Sequence, residues 1–380
     1  MIIIMNKDKE IKKEINDISW NVTESDYRQD KSPSYSTLAA FQREGFKGLK
    51  RVLSGDRIDN ESLRHGSLVD CLLTDRDNFS NIYEVCYFDK PTDLVKKIVD
   101  LIWSKGDKIN NRLEKIDKTF LLDCINSVGY GADNWKDETK INKVIEAGKD
   151  YFKMLILTNS GKIVVHQDDV ELAQKCVNLI KSHHFTSWIF NEPESPFYNP
   201  NAKVYYQQKF KITFRSINQC TCFLNWTSHF TESEKDTIKC MFDILYVDYK
   251  NKTITPVDLK TTSHDESQFI KSIQDWDYDI QATMYSYILR QVCLSDDYFK
   301  DFTVNPFLFL PINKFNLCPQ LYEYSDSVFS KQINFVDYKG KLHRRWYDLL
   351  DDVRWHINND VFNYASHVIY NNGITKVSFT

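Results

Sequence analysis

Met241-Phe242-Asp243-Ile244-Leu245-Tyr246-Val247 and Pro256-Val257-Asp258-Leu259-Lys260-Thr261-Thr262 are two β-forming runs separated by a short polar turn. Lys250-Asn251 or Asn251-Lys252 can make a two-residue connection between them. Such a loop pairs positions whose numbers sum to an odd value, so Asp243 faces either Asp258 or Lys260. Asp258 and Lys260 share one face of their strand, because side chains alternate with period two. The two aspartates and the lysine therefore meet on one face in either register. Two carboxylates about 4 Å apart repel, so one takes up a proton or both share a cation. Oxygen ligands so placed suit Mg²⁺ or Mn²⁺. The adjacent ammonium can orient or deprotonate a water and counter charge growing on a phosphorane, as metal-assisted phosphodiester hydrolysis requires. A surface hairpin carrying an ordinary Asp–Lys pair is the plainer reading of the same residues.

Downstream, the pattern predicts helices over residues 266–273 and 279–292, a strand over 306–311 and a final helix over 342–358. The second of these helices carries Gln281 and Tyr285 at i, i+4, on one face. Capping or hydrogen bonding for Gln281, and core packing for Tyr285, remain open. Upstream, residues 204–214, 221–226, 237–249 and 253–259 read as a β-meander. Residues 1–30 read as a loosely held polar arm. Ser34 or Ser36 caps a helix whose apolar stripe is Leu38, Phe41, Leu49 and Leu53. A second helix over 61–74 places Leu63, Gly66, Ser67 and Asp70 on one face. Residues 82–88 read as a strand, 91–190 as mostly helical, and 191–200 as a Pro/Asn-rich linker. The expected organisation is a polar arm (1–31), N-terminal helices with the first strand (32–88), a helical insertion (89–200), and a core sheet with C-terminal helices (201–380). The fold class is α/β of the α+β kind.

A chain of 380 residues, 42% of them hydrophobic, can bury a sizeable core. A mean hydropathy of -0.48 and the lack of a long apolar run argue against a membrane-spanning helix. The apolar start, Met1 to Met5, is too short for a signal peptide, so a cytoplasmic protein is expected. Nine scattered cysteines without a CxxC pair point to thiols in a reducing compartment rather than to zinc. A net charge of -4 gives no global attraction to nucleic acid, so such a partner needs a local surface or a metal. Arg43, Lys47, Lys50 and Arg51 make one segment basic, which a solvated helix face explains equally well. His183 and His184 are adjacent on a helix, point different ways and do not suggest a metal pair. Trp226 and Tyr205-Tyr206 read as core or dimer surface, with stacking on a frayed base as the functional option.

Pro256-Val257-Asp258-Leu259-Lys260, with Asp243 upstream and Gln281/Tyr285 downstream, resembles the PD-(D/E)xK nuclease superfamily and the QxxxY of its RecB-like branch. Gly66-Ser67-Leu68-Val69-Asp70 looks like the helix that supplies a further metal ligand there, although the family usually has His where this chain has Asp70. His65 is the alternative on that helix. The order of elements is most similar to phage exodeoxyribonuclease VIII (RecE-like) exonucleases, over about half of the chain. The resemblance implies a restriction-endonuclease-like core, with a central mixed sheet flanked by helices. It implies a Mg²⁺-dependent (Mn²⁺ substituting) DNA exonuclease acting from double-strand ends, 5′ to 3′, in phage recombination or replication. Asp70, Asp243, Asp258 and the Leu259 carbonyl would hold metal, and Lys260 would orient water. Gln281 and Tyr285 would position phosphate or water, with Ser34, Ser36, Ser67, Thr261 and Thr262 toward substrate. A ring-shaped homo-oligomer, a single-strand annealing partner, the host cytoplasm and no iron–sulfur cluster also follow, the last because no cysteine comes after Cys318. The alternatives are a structure-specific or restriction-type endonuclease on the same core, or a DNA-binding subunit with a decayed core.

Overall fold

The computed structural model describes residues 13–56, 60–87, 91–105, 112–158, 161–215, 235–262, 268–324, 335–337, 339–365 and 368. The expected strand 221–226, with Trp226, lies outside them, as do residues 1–12 and 328–334. In chain order the helices are α1 (Glu24–Gln29), α2 (Tyr35–Glu44), α3 (Phe46–Leu53), α4 (Glu61–Thr74), α5 (Phe79–Ile82), α6 (Asp93–Lys105), α7 (Lys118–Val128), α8 (Asp137–Thr158), α9 (Gln167–Ser182), α10 (Phe269–Asp275), α11 (Tyr278–Leu294) and α12 (Trp346–Asn359). The strands are β1 (Tyr83–Cys86), β2 (Ile163–His166), β3 (Ala202–Arg215), β4 (Lys235–Asp248), β5 (Thr253–Thr262), β6 (Thr303–Val304), β7 (Phe307–Asn313), β8 (Tyr322–Tyr324), β9 (Phe335–Val336) and β10 (Leu342–His343). The protein is mixed α/β, with a mixed central sheet flanked by helices. No helix among the described residues is long and apolar enough to cross a membrane.

The chain forms two compact units, one of residues 1–70 with 176–380 and one of residues 71–175. The divisions differ from the expected ones at 88/89 and 200/201. The strand read as the first of the core, β1, pairs in parallel with β2 from the middle of the expected insertion. Its backbone partners therefore place it with α6, α7 and α8. In that unit Val95, Ile98, Val99, Leu121, Ile125, Val144 and Phe152 close a helical core.

In the larger unit the sheet runs β3-β4-β5-β7-β8, with β6 added beside β5. β3, β4 and β5 are antiparallel, and β5 and β7 are parallel. α11 packs on β3 and β4, and α2 and α12 pack on α11. Phe242, Phe307, Phe309, Tyr285, Ile288, Trp346 and Val353 fill the space between. The single helix expected from the Leu38 to Leu53 stripe is two helices, α2 and α3. Gly45 takes a φ of 65°, open to glycine and costly for other residues, and turns the chain there.

The arm is not loose over residues 13–31. Ile15 is fully buried in the core of this unit, and its N–H reaches the Tyr249 hydroxyl at 3.3 Å. Trp20 N–H donates to the Lys209 carbonyl at 2.7 Å, and the buried Lys239 ammonium donates to the Tyr27 carbonyl at 2.6 Å. Polar composition concealed a segment held by a few long-range anchors.

Candidate metal and phosphate site

The β4–β5 ladder pairs Asp248 with Thr253 through Ile244 with Val257. This is the register that aligns Asp243 with Asp258. The connection is four residues, Tyr249 to Lys252, rather than two. Asp248 caps it by accepting from Lys250 N–H at 3.0 Å and Asn251 N–H at 2.9 Å, and Lys252 takes a left-handed φ of 52°.

The paired register ends at Ile244 and Val257, and the two strands separate there. The next free donor on β5, Leu259 N–H, goes to Asp243 Oδ2 at 2.9 Å, so a side chain takes the place of a ladder bond. β5 continues to Thr262 against β7 alone. On β4 the freed edge is met at Lys239, whose N–H donates to the Pro33 carbonyl at 3.0 Å. The arm thus fills the gap that β5 leaves.

Side-chain alternation along β4 also slips at Asp243. Ile238, Cys240 and Phe242 belong to the same core as Leu245 and Val247, an even set followed by an odd one. Across the ladder, Gln207 of β3 has a φ of 49°, an unusual value for a non-glycine residue. The irregularity lets Phe242 stay under the Tyr285 ring, with centroids 5.2 Å apart, while Asp243 reaches β5.

Asp258 is 2% exposed, and its two oxygens have different partners. Oδ1 accepts from Gln281 Nε2 at 2.5 Å, and Oδ2 is paired with the Lys260 ammonium. Lys260 also lies over the Tyr278 ring, 4.7 Å from its centre. Burial alone would lower the lysine's pKa, but Asp258, Tyr278 and Asp243 outweigh it and move it upward. Lys260 is therefore a firmly held cation. It can orient a water or offset negative charge, and it is poorly suited to deprotonating anything.

Asp243 keeps some exposure, yet burial among protein atoms raises its pKa well above the carboxylate range. The charges of Asp258 and Asp70 push in the same direction, while Lys260 and the Leu259 N–H oppose them without prevailing. Asp243 thus feels two further acids, Asp258 of β5 and Asp70 of α4, and Lys260 does not offset them. A divalent cation fits such a donor set of hard oxygens. A second sign is Gln281 Oε1, which is buried without a hydrogen-bond partner beside Asp258.

α4 comes close because Gly66 has no side chain: a Cβ there would stand 2.9 Å from Thr261 Oγ1. Asp70 lies one turn further on the same helix face. His65, the alternative on that helix, is buried.

Asp243, Asp258, Lys260 and Gln281 are brought together, with Leu259 through its backbone and Tyr285 as a buried ring under the site, and Asp70 is near enough for its charge to act on Asp243. Burial raises the Tyr285 hydroxyl well above its usual pKa, so it stays a neutral phenol. Thr261 abuts Gly66, and Thr262 is 9% exposed. The expected substrate serines sit differently. Ser34 caps α2, its N–H meeting Thr37 Oγ1 at 3.2 Å, and Ser36 and Ser67 are exposed. Sequence reasoning missed Tyr278, three residues before Gln281 and on the same helix face, a spacing that could have flagged it. It also missed Tyr35, whose hydroxyl donates to the Trp276 carbonyl at 2.7 Å and feels the charge of Asp258.

A second acidic grouping lies at the start of α11. Asp277, Asp279 and His343 each offer a ligand atom within 4.8 Å of the others, so this buried cluster could hold a metal ion. No protein-family model matches the chain, and no curated protein sequence matches it.

Proposed function

We propose that the protein is a Mg²⁺-dependent deoxyribonuclease that degrades DNA from double-strand ends. The observation that supports this reading best is Asp258 at the parting of β4 and β5. One of its oxygens is fixed by Gln281 and the other by Lys260, while Asp243 feels its charge and that of Asp70. Asp70, Asp243 and Asp258 would hold the cation, with the Leu259 carbonyl assisting. When bound, the cation neutralises the phosphate and favours attack by water at phosphorus.

The chain's own groups supply the rest. Lys260, a cation kept in place by Asp258 and the Tyr278 ring, directs a water and offsets charge gathering on the non-bridging oxygens. Gln281 keeps Asp258 in one orientation, so the carboxylate presents the same oxygens throughout. Tyr285 and Phe242 make a dry floor that strengthens these interactions. Water adds across a P–O bond: its oxygen joins phosphorus and its proton ends on the leaving oxygen.

The test is linear against closed-circular DNA, each with Mg²⁺ and with EDTA. Loss of the linear form alone, abolished by EDTA, supports the reading. Equal attack on supercoiled circles would favour the endonuclease alternative, and no cleavage of either would sink the nuclease assignment.

A further inference from the structure

The grouping at the start of α11 is already supplied with cations. His343 is 1% exposed, and both of its ring nitrogens address carboxylates. Nδ1 lies 3.3 Å from Asp277 Oδ1 and 3.6 Å from Asp279 Oδ1, and Nε2 lies 3.2 Å from Asp337 Oδ2. The ring is thus wedged between carboxylates on both sides, two from the start of α11 and one from the segment before β10. Lys341 Nζ reaches Asp277 Oδ1 at 2.7 Å, and Arg43 of α2 reaches Asp277 Oδ2 at 3.4 Å. Asp337 in turn accepts Lys339 N–H and Lys341 N–H at 2.8 Å each, which shapes the β9–β10 turn. Asp277, Asp279 and Asp337 thus face His343, Lys341 and Arg43.

Asp277 is fully buried with a φ of 57°, immediately before the first residue of α11. Tyr278, beside Lys260, and Gln281, on Asp258, follow within one turn. We propose that His343, wedged between Asp277, Asp279 and Asp337, acts as a positioning residue that fixes the first turn of α11 so that Gln281 and Tyr278 hold Asp258 and Lys260. The role in turnover rests on the nuclease reading; the effect on Gln281 does not.

The experiment compares wild type with His343→Gln, and with Asp337→Asn, which loosens the ring from the side away from α11 and serves if the first variant does not fold. Three quantities are read: the ¹⁵N side-chain amide signal of Gln281, turnover on linear DNA, and Mn²⁺ affinity by calorimetry. The Gln281 amide should shift, and kcat should fall between about tenfold and about a hundredfold, the range for a displaced catalytic group. KM and Mn²⁺ affinity should stay at wild-type values, and His343→Arg should recover part of the lost kcat. Unchanged Gln281 amide signals in both variants would overturn the proposal. So would displacement of the His343 ring signals on adding Zn²⁺ to the wild type, because the cluster would then be a metal site. Absent cleavage by wild type, with the Gln281 amide still shifting, would remove the nuclease reading and leave the positioning role standing.

Discussion

Gln281 of α11 and Asp258 of β5 are joined by a 2.5 Å hydrogen bond between two side chains that are both nearly fully buried. The amide gives the carboxylate one fixed donor in a closed space. Gln281→Ala leaves Asp258 Oδ1 without that donor, and a lost buried partner costs about 1–3 kcal/mol. Gln281→Glu places a second acid against the first and should destabilise more. Metal-free melting curves would check the order wild type, Ala, Glu. Added Mn²⁺ should narrow the gap for Glu and leave that for Ala. A Glu variant as stable as wild type without metal would contradict the geometry.

Asp243 makes stability depend on pH in a definite direction. Its folded pKa lies above its unfolded value, so the folded protein holds a proton that the unfolded chain releases. That increment is fully present below the unfolded carboxylate pKa, about 4, and is lost as pH rises through the raised value. Metal-free protein should therefore melt lower at pH 8 than at pH 5.5 on account of this group. Asp70→Asn removes one of the charges responsible and should shrink the difference, and Mg²⁺ should offset it by binding only the folded state. A pH dependence unaltered in Asp70→Asn would exclude Asp70 from the acid cluster.

Lys260 and Asp258 should fail in different ways. Asp258→Ala removes an anionic ligand, so metal binding and turnover should both be lost. Lys260→Ala removes a cation beside the acids, so Mn²⁺ should bind as tightly or more so while turnover falls about 10²–10³-fold, the usual cost of losing a group that stabilises developing charge. Calorimetry run beside the digestion assay separates the two. Equal loss of Mn²⁺ affinity in both would mean that the roles are misassigned.

Gly66 sets how closely α4 approaches β5. Gly66→Ala brings a methyl to 2.9 Å from Thr261 Oγ1, so the helix or the hydroxyl must move. Overpacking of this kind costs about 1–3 kcal/mol, and Asp70 on the next turn should shift with the helix. The double change Gly66→Ala with Thr261→Ala restores room and should recover melting temperature and turnover together. Failure of the second change to rescue the first would place the clash elsewhere.

Much of this site was legible because β-strands alternate with period two. Asp243, Asp258 and Lys260 could be set on one face before the register was known, and the i, i+4 spacing did the same for Gln281 and Tyr285. The expected helix over 61–74 is α4, and the i, i+4 spacing set Gly66 and Asp70 on one face of it. Other features depend on distant partners and leave little local trace. Tyr83 to Cys86 look like any strand, and only pairing with Ile163 to His166 decides which unit owns them. Residues 13–31 look dispensable until Ile15 and Tyr27 are seen buried. The slip of alternation at Asp243 involves the backbone of Gln207, which no side-chain pattern reports.

The parting of β4 from β5 has a consequence for the protein's behaviour in solution. A strand that loses its neighbour presents unpaired backbone donors and acceptors, the usual template for unwanted pairing between molecules. Here residues 27–33 cover that stretch, through Pro33 on Lys239 N–H and Tyr27 on the lysine's ammonium. Removing the segment up to residue 33 would uncover β4, and the protein should then self-associate edge to edge. The opening at the candidate site is thus kept from becoming a seed for aggregation by the part of the chain that looked least structured.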